Sequence, residues 1–571
     1  MIEKMTRYDF VLLSSGKDGF IDALSALGVM DITRSAKPVD EKSASLLSEI
    51  EAVDACISRI AKGTDAHLKE LQDALRSLQK EAESVSHWGE YDLARLNSLG
   101  VPVNFYCVPE KKYDESWAEQ YAVAETDRER GKVWFVAVGD NDIPATPLAA
   151  PTKTADMLGQ EIAGLQAEID AYKKELEDAK STLPSLREDA ARLRGELGVY
   201  LASVGGESAA DGELAVFEGF APTSEKERLA KAFDELDCVW FSAEASVEDN
   251  PPIKLKNNKF VKQFEMLTDM YGRPDYNEFD PTPFISVFFL LFFAMCMGDA
   301  GYGLLLILIG QLLRKSEGMK SLSPLVTILG VGTFLIGIVM HTFFGYDIST
   351  LEWLPSWMKS VMITGTIGGF EAQMVLALAI GIVHLCLAMV VKTVYATRNK
   401  GFLGSLGTWG WTLLIVGGVI LAALGMAKLV PAATLKWIVI GLGILSALGI
   451  FLVNDIHRNP LKNIGSGLWE TYNTVTGLLG DVLSYLRLYA LGLAGGMLGK
   501  AFNDIAAMTL GDGSFGFGWL FFVLILIVGH ALNLAMSCLG AFVHPLRLNF
   551  LEFFKNSGYD GKGRKYAPLQ K

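Results

Sequence analysis

Two arginines lie inside apolar runs near the end of this 571-residue sequence: Arg487 in SYLRLYALGLA (484–494) and Arg547 in HPLRLNFLEFF (544–554). A guanidinium keeps its proton under all ordinary conditions, so each is a permanent cation. Placing one at mid-membrane depth costs about 2.5–3.5 kcal/mol on insertion scales, which makes an intramembrane arginine a candidate functional group. Around Arg487, at helical spacing, stand Gly477, Gly480, Ser484, Leu491, Ala494, Gly495 and Gly499. Mostly small, they leave a shallow face that another helix can approach. Ahead of Arg547 runs a polar stripe, His530, Asn533, Ser537, Gly540, His544 and Arg547, spaced 3,4,3,4,3 and therefore on one helix face. Polar groups in lipid must be satisfied by protein or line a wet cavity. Two readings are open: helix–helix glue with the arginines snorkelling to the interface, or an ion path. Histidines in the stripe favour protons as the ion, because imidazole titrates near neutrality.

The elements that hold these residues follow from a split composition. Residues 1–260 contain 30 Lys+Arg and 48 Asp+Glu; the remainder contain 21 and 17. The first part reads as a soluble, acidic region, which argues against nucleic acid or anionic lipid as its main partner. The N-terminus MIEKMTRYDF lacks an apolar signal segment, so this region is expected in the cytoplasm. Six scattered cysteines form no CxxC, and neither a metal nor a disulfide framework is expected. No GxxxxGK[ST] occurs, so any ATP is handled by another chain; no cofactor and no catalytic residue are expected.

The second part carries runs of bilayer-spanning length. Spans are expected near 284–297, 299–313, 322–341, 372–392, 405–427, 432–453, 464–500 and 516–554. Charge sets the count. Arg314, Lys315, Lys320, Lys392, Arg398, Lys400, Arg458, Lys462, Lys555, Lys562, Arg564, Lys565 and Lys571 fall on one side, and Lys359, Lys428 and Lys500 on the other, 13 against 3. Keeping 314–320 on the cytoplasmic side requires the first apolar run to cross twice, turning at GDAGYG (298–303). Eight spans result, with both termini in the cytoplasm. The last two, at about 37 and 39 residues, are roughly 55–60 Å long and exceed what a membrane needs.

In the soluble part, a heptad seam runs Leu46, Ile50, Val53, Ile57, Ile60, Thr64, His67, Leu71, Ala74, Leu78. A second runs from Leu158 through Ile169 and Leu183 to Leu197 in strict 4,3 spacing. Pro184 lies within it and is expected to kink that arm. The predicted fold class is an α-helical polytopic membrane domain of about eight spans plus a cytoplasmic α+β dumbbell with an antiparallel coiled-coil hairpin. The expected boundaries are a soluble domain 1–255 (proximal lobe 1–40 and 205–250, arms 41–88 and 153–203, distal lobe 89–152), an amphipathic linker 256–283, a transmembrane domain 284–555 and a tail 556–571.

PPIKLKNNKFVKQFEMLTDMYGRPDYNEFDPTPF (251–284), GDAGYG, SYLRLYALGLA and HPLRLNFLEFF together resemble the V-type and archaeal-type rotary ATPase membrane subunit called a or I. The resemblance implies a non-catalytic stator subunit in the cell membrane. In that family two tilted helices embrace a rotating proteolipid c-ring. The arginine of the SYLRL motif, here Arg487, meets the ring carboxylates, and that of the HPLRL motif, here Arg547, assists. The ion-translocation set expected here is Arg487, Arg547, Ser484, His530, Asn533, Ser537, His544, Asp481 and Glu470. Implied partners are the c-ring, peripheral stalk subunits of the E/G type, a central-stalk ring adaptor of the d/C type and membrane lipid. Eukaryotic members carry a histidine shortly after the first arginine, where this chain has AGGM (494–497), and an acidic residue near the place of Ser537; a bacterial or archaeal member is implied. The alternative from another class is a self-contained secondary transporter with a coiled-coil sensor. It predicts internal repeats, and none is evident.

Overall fold

The computed structural model describes residues 1–34, 39–89, 95, 98, 100–129, 131–139, 141–149, 153–316, 318–352, 354–451, 460–509 and 517–570. Arg458 and Lys571, parts of the expected distal lobe, and the ends of the spans expected at 432–453 and 516–554 lie outside these residues. The chain divides into two compact units: Met1–Leu12, Val29–Asp31 and Glu218–Pro568, and Leu13–Gly28, Ile32–Phe217 and Leu569–Lys571.

Strand β1 (Met5–Leu13) buries Tyr8, Phe10 and Leu12, every second residue, as a half-buried strand must. Helix α1 (Lys17–Leu27) follows. Then come α2 (Glu41–Lys62) and α3 (Ala66–Ser86), separated by Gly63–Asp65. Gly63 takes the left-handed conformation (φ 61°) that ends α2, and the Asp65 carboxylate accepts from the Leu68 amide at 2.8 Å to start α3. This break moves the seam. Thr64, His67 and Ala74 are exposed, whereas Leu68 is buried and Leu71, Leu75 and Leu78 half-buried. The expected first-arm seam holds to Ile60 and again at Leu71 and Leu78, while Leu68 and Leu75 take the places expected for His67 and Ala74. Beyond β2 (Val103–Pro109), β3 (Ala122–Glu129) and β4 (Lys132–Val138), an antiparallel sheet of order β2-β4-β3, come α4 (Ala155–Asp178) and α5 (Leu183–Val204). A 3₁₀ turn at Ala179–Thr182 joins α4 to α5, and Pro184 occupies the first turn of α5, where a missing N–H costs nothing. Helix α2 packs on α5 and α3 on α4. Tyr172 donates to Asp65 and Arg194 reaches Asp54.

In the other unit, α6 (Lys226–Phe233) lays Phe233 against Tyr8 and Phe10, and β5 (Val239–Glu244) pairs antiparallel with β1. Three short apolar helices follow, α7 (Thr282–Met297), α8 (Ala300–Leu313) and α9 (Ser323–Val339). The α7–α8 break falls at Gly298–Asp299: Gly298 caps α7 in the left-handed region and Asp299 caps α8. Helices α8 and α9 approach closely; a Cβ on Gly337 would lie 2.1 Å from the Ala300 amide. Next are α10 (Ala372–Gly404), α11 (Leu406–Met426), α12 (Ala432–Phe451), α13 (Pro460–Ser484), α14 (Leu486–Thr509) and α15 (Phe517–Arg547), which continues as a π-helix over Leu548–Phe553. Helices α13 and α14 form one run broken only at Tyr485, so among the described residues 5 segments are long and apolar enough to cross a membrane. The tail folds back on this unit: Ile253 donates to Arg564 and Tyr566 to Ile253.

Candidate functional site

Arg487 sits in the first turn of α14, half-buried, and its Nη1 is shut off from solvent with no hydrogen-bond partner. An unpaired buried donor of this kind is costly. Arg547 is exposed at the end of α15. It continues a row of exposed apolar residues on that helix, Leu532, Met536, Leu539 and Val543. His544 lies within electrostatic reach of both arginines.

Below Arg487 on the same run, Asp481 accepts from Asn556 at 2.8 Å and stands 3.6 Å from Lys555 Nζ. Asp481 and Glu470 line a cavity of about 310 Å³ with Asn473, Gly477 and Lys555. Above Arg487, a second cavity of about 450 Å³ is lined by His341, Glu371, Tyr489, Gly492, Gly496 and Lys500. Tyr489 donates to Glu371. Asp481 and Gly492 are separated by about 16 Å of helix, with Arg487 between them and lining neither cavity.

The polar stripe divides. Asn533 is fully buried and donates to the Tyr302 hydroxyl (2.8 Å) and the Gly495 carbonyl (2.9 Å). His530 Nδ1 lies 2.7 Å from the same hydroxyl and its Nε2 2.9 Å from Asn503 Oδ1. Ser537 donates to Asn533. Asp299 completes the cluster, accepting from the amides of Gly301, Tyr302, Phe344 and Gly345 at 2.8–3.2 Å. This upper part is therefore tied into the protein, while His544 and Arg547 are gathered near Arg487. The small face divides too: Gly495 and Gly499 admit Ser537 and Asn533 of this chain's own α15, whereas Gly480 faces open space.

Ser484 donates to the Gly480 carbonyl and is also close to Glu552, a buried carboxylate that the sequence reading did not single out. Its signal was available: FLEFF places one carboxylate among aromatic and aliphatic residues, five positions after Arg547. Tyr302, Asn503 and His384 were also missed; nothing in their spacing marks them, since their partners lie on distant segments.

The family model of the V-type ATPase 116 kDa subunit family matches residues 153–339 and 468–571. The A-type ATP synthase subunit I of Methanocaldococcus jannaschii is 30% identical, the alignment covering 94% of this chain and 86% of that one. The V-type ATP synthase subunit I 1 of Treponema pallidum is 24% identical over the full length of both. The A-type ATP synthase subunit I of Pyrococcus abyssi is 34% identical over 56% of this chain and 48% of its own. By this agreement across nearly the whole sequence, the chain belongs to the V-type ATPase 116 kDa subunit family.

Proposed function

We propose that this chain is the membrane stator subunit of an A/V-type rotary ATPase, a multi-pass protein of the cell membrane that carries H⁺ or Na⁺ past a rotating proteolipid c-ring. The observation that carries this reading is the pair of cavities along one helix run with Arg487 between them. A ring carboxylate must be neutral while it faces lipid. It exchanges its ion in one half-channel and reloads in the other. A permanent cation between the two favours the ionised carboxylate and bars a direct leak. Asp481, Glu470 and Ser484 serve the half-channel on the cytoplasmic side. Arg547, on its exposed apolar face, supports the site together with His544, and the tied residues His530, Asn533 and Ser537 hold the outer end of the path.

The remaining parts fit this role. Helices α7, α8 and α9 complete eight spans, the first two as a tight pair turning at Asp299, with both termini in the cytoplasm. The helical arms α2–α5 act as a coiled-coil spacer that peripheral stalk subunits and a ring adaptor grip, so that the half-channels stay still while the ring turns. ATP is hydrolysed or made elsewhere in the complex.

The test is ATP-driven ion uptake by vesicles holding the assembled complex, with ATP hydrolysis followed in parallel. Arg487→Ala abolishes uptake. Arg487→Lys is nearly as damaging, because a compact ammonium lacks the planar five-donor fork and can itself deprotonate. Arg547→Lys is milder. Near wild-type uptake by Arg487→Ala would overturn the reading.

A further inference from the structure

One fully buried imidazole outside the set above touches both arginine-bearing helices. His384, on α10, is 0% exposed. Its Nδ1 stands 2.9 Å from the Tyr485 hydroxyl. Its ring stacks on Phe553, with centroids 4.7 Å apart and planes 8° apart, and meets Phe288 at 4.2 Å. Its Nε2 has no hydrogen-bond partner among the described residues. Tyr485 is equally buried, and its ring fills a seat made by a missing side chain: a Cβ on Gly381, three residues before His384, would lie 2.3 Å from Tyr485 Cγ.

Both contacts fall on irregular helix. Tyr485 is the break between α13 and α14, where its amide donates to Val482 and its carbonyl accepts from Leu488, both i to i+3 bonds of 3.1 Å. Phe553 ends the π-helix that begins directly after Arg547. Just ahead of that stretch Pro545, in the last turn of α15, has no N–H to give, and the Asn549 side chain donates to its carbonyl at 2.9 Å. One helix is thus tightened two residues before Arg487 and the other loosened just after Arg547, and the two irregularities meet at His384.

We infer that His384 is a positioning residue for ion translocation: through Tyr485 and Phe553 it pins both irregular turns and so fixes how Arg487 and Arg547 are rotated toward the path. This rests on the function proposed above. A 3₁₀ turn winds about 120° per residue against 100° in an α-helix, so relaxing it rotates everything beyond by roughly 20° per residue relaxed. At about 5–6 Å from the helix axis, 20° carries a guanidinium roughly 2 Å. Displacements of about 1 Å are enough to cost on the order of 100-fold in rate where geometry governs a reaction.

The experiment uses Tyr485→Phe, His384→Phe and the double variant in the assembled complex. Tyr485→Phe keeps the ring in its Gly381 seat, so it tests the hydrogen bond without emptying the core. Uptake is expected to fall at least tenfold in each single variant, with at least half of ATP hydrolysis retained. The double variant is expected to be no worse than the poorer single one, because both remove the same bond. A second readout is geometric and needs no ring: single cysteines at residues 493–497 of a chain with its native cysteines replaced, labelled by a maleimide. The parent should label most at Ala494 and Met497 and least at Gly495, and this phase should rotate in the variants. Unchanged uptake and unchanged phase in Tyr485→Phe and His384→Phe would overturn the inference. So would a loss of uptake accounted for by lost assembly with the phase unmoved. If Arg487→Ala still pumps, the functional reading fails instead, and the labelling phase still reports on the clamp.

Discussion

The two ends of the Arg487 helix run treat buried polarity in opposite ways. At the C-terminal end, the Asp299 carboxylate is surrounded by four peptide N–H groups, and Asn533, His530, Tyr302 and Asn503 are bonded to one another. At the N-terminal end, Asp481 has one amide and a more distant lysine and opens into space shared with Glu470 and Asn473. The first arrangement holds helices in place; the second leaves charge available to water and ions. In sequence both look alike, as polar residues at helical spacing in an apolar run. What separates them is whether the facing atoms are protein or solvent, and spacing carries no information on that.

The contrast can be broken experimentally. Asp299→Ala leaves four peptide donors without an acceptor and is expected to destabilise the protein by on the order of 3–5 kcal/mol, read as a fall in the thermal midpoint of the purified complex. Asp481→Asn is expected to leave that midpoint within a degree or two and instead to cut ion uptake roughly tenfold or more. A reversal of these two outcomes would mean the roles of the two ends are exchanged. Asn533→Ala removes three bonds from a buried network and is expected to cost about 2 kcal/mol with a smaller effect on transport. Labelling sharpens the picture: a cysteine at Asn473 should react with a water-soluble thiol reagent at least about tenfold faster than one at Asn533, and equal rates would show the Asn533 cluster to be wet.

The smallest effect belongs to a polar contact of a third kind, partly buried between the helical arms. Bonds from the Leu68 amide and then the Tyr172 hydroxyl hold the Asp65 carboxyl below the ordinary carboxylate range. A carboxyl depressed on folding contributes stability above its unfolded pKa of about 3.9 and loses it as pH falls through its lower folded value. Asp65→Ala should therefore lower the thermal midpoint slightly at pH 7, and the difference from the parent should vanish in strong acid.

Much of the architecture could be read before any coordinates. The turn at GDAGYG was marked by a glycine and an aspartate, the residues best suited to end one helix and begin the next. The arginines stood out because a cation in an apolar run is expensive. In the first arm, His67 and Ala74 were misplaced because KGTD reads equally as a helix surface and as a cap pair; only the left-handed Gly63 decides it. The stripe from His530 to Ser537 was legible as a face, but its partners, Tyr302, Asn503 and the Gly495 carbonyl, come from segments remote in sequence. His384 was invisible for the same reason. A lone histidine in an apolar helix acquires meaning only from Tyr485, 101 positions away.

The returning tail bears on how the protein is made. Residues 253 and 273 are bridged by residues 565 and 563, and residue 255 by residue 2. A ribosome working through this message has threaded every membrane helix before it emits the strand that closes this ribbon. Until then residues 253 and 273 lack these backbone partners. Emergence of residues 563–566, rather than insertion of any single helix, is thus the event that closes this part of the fold.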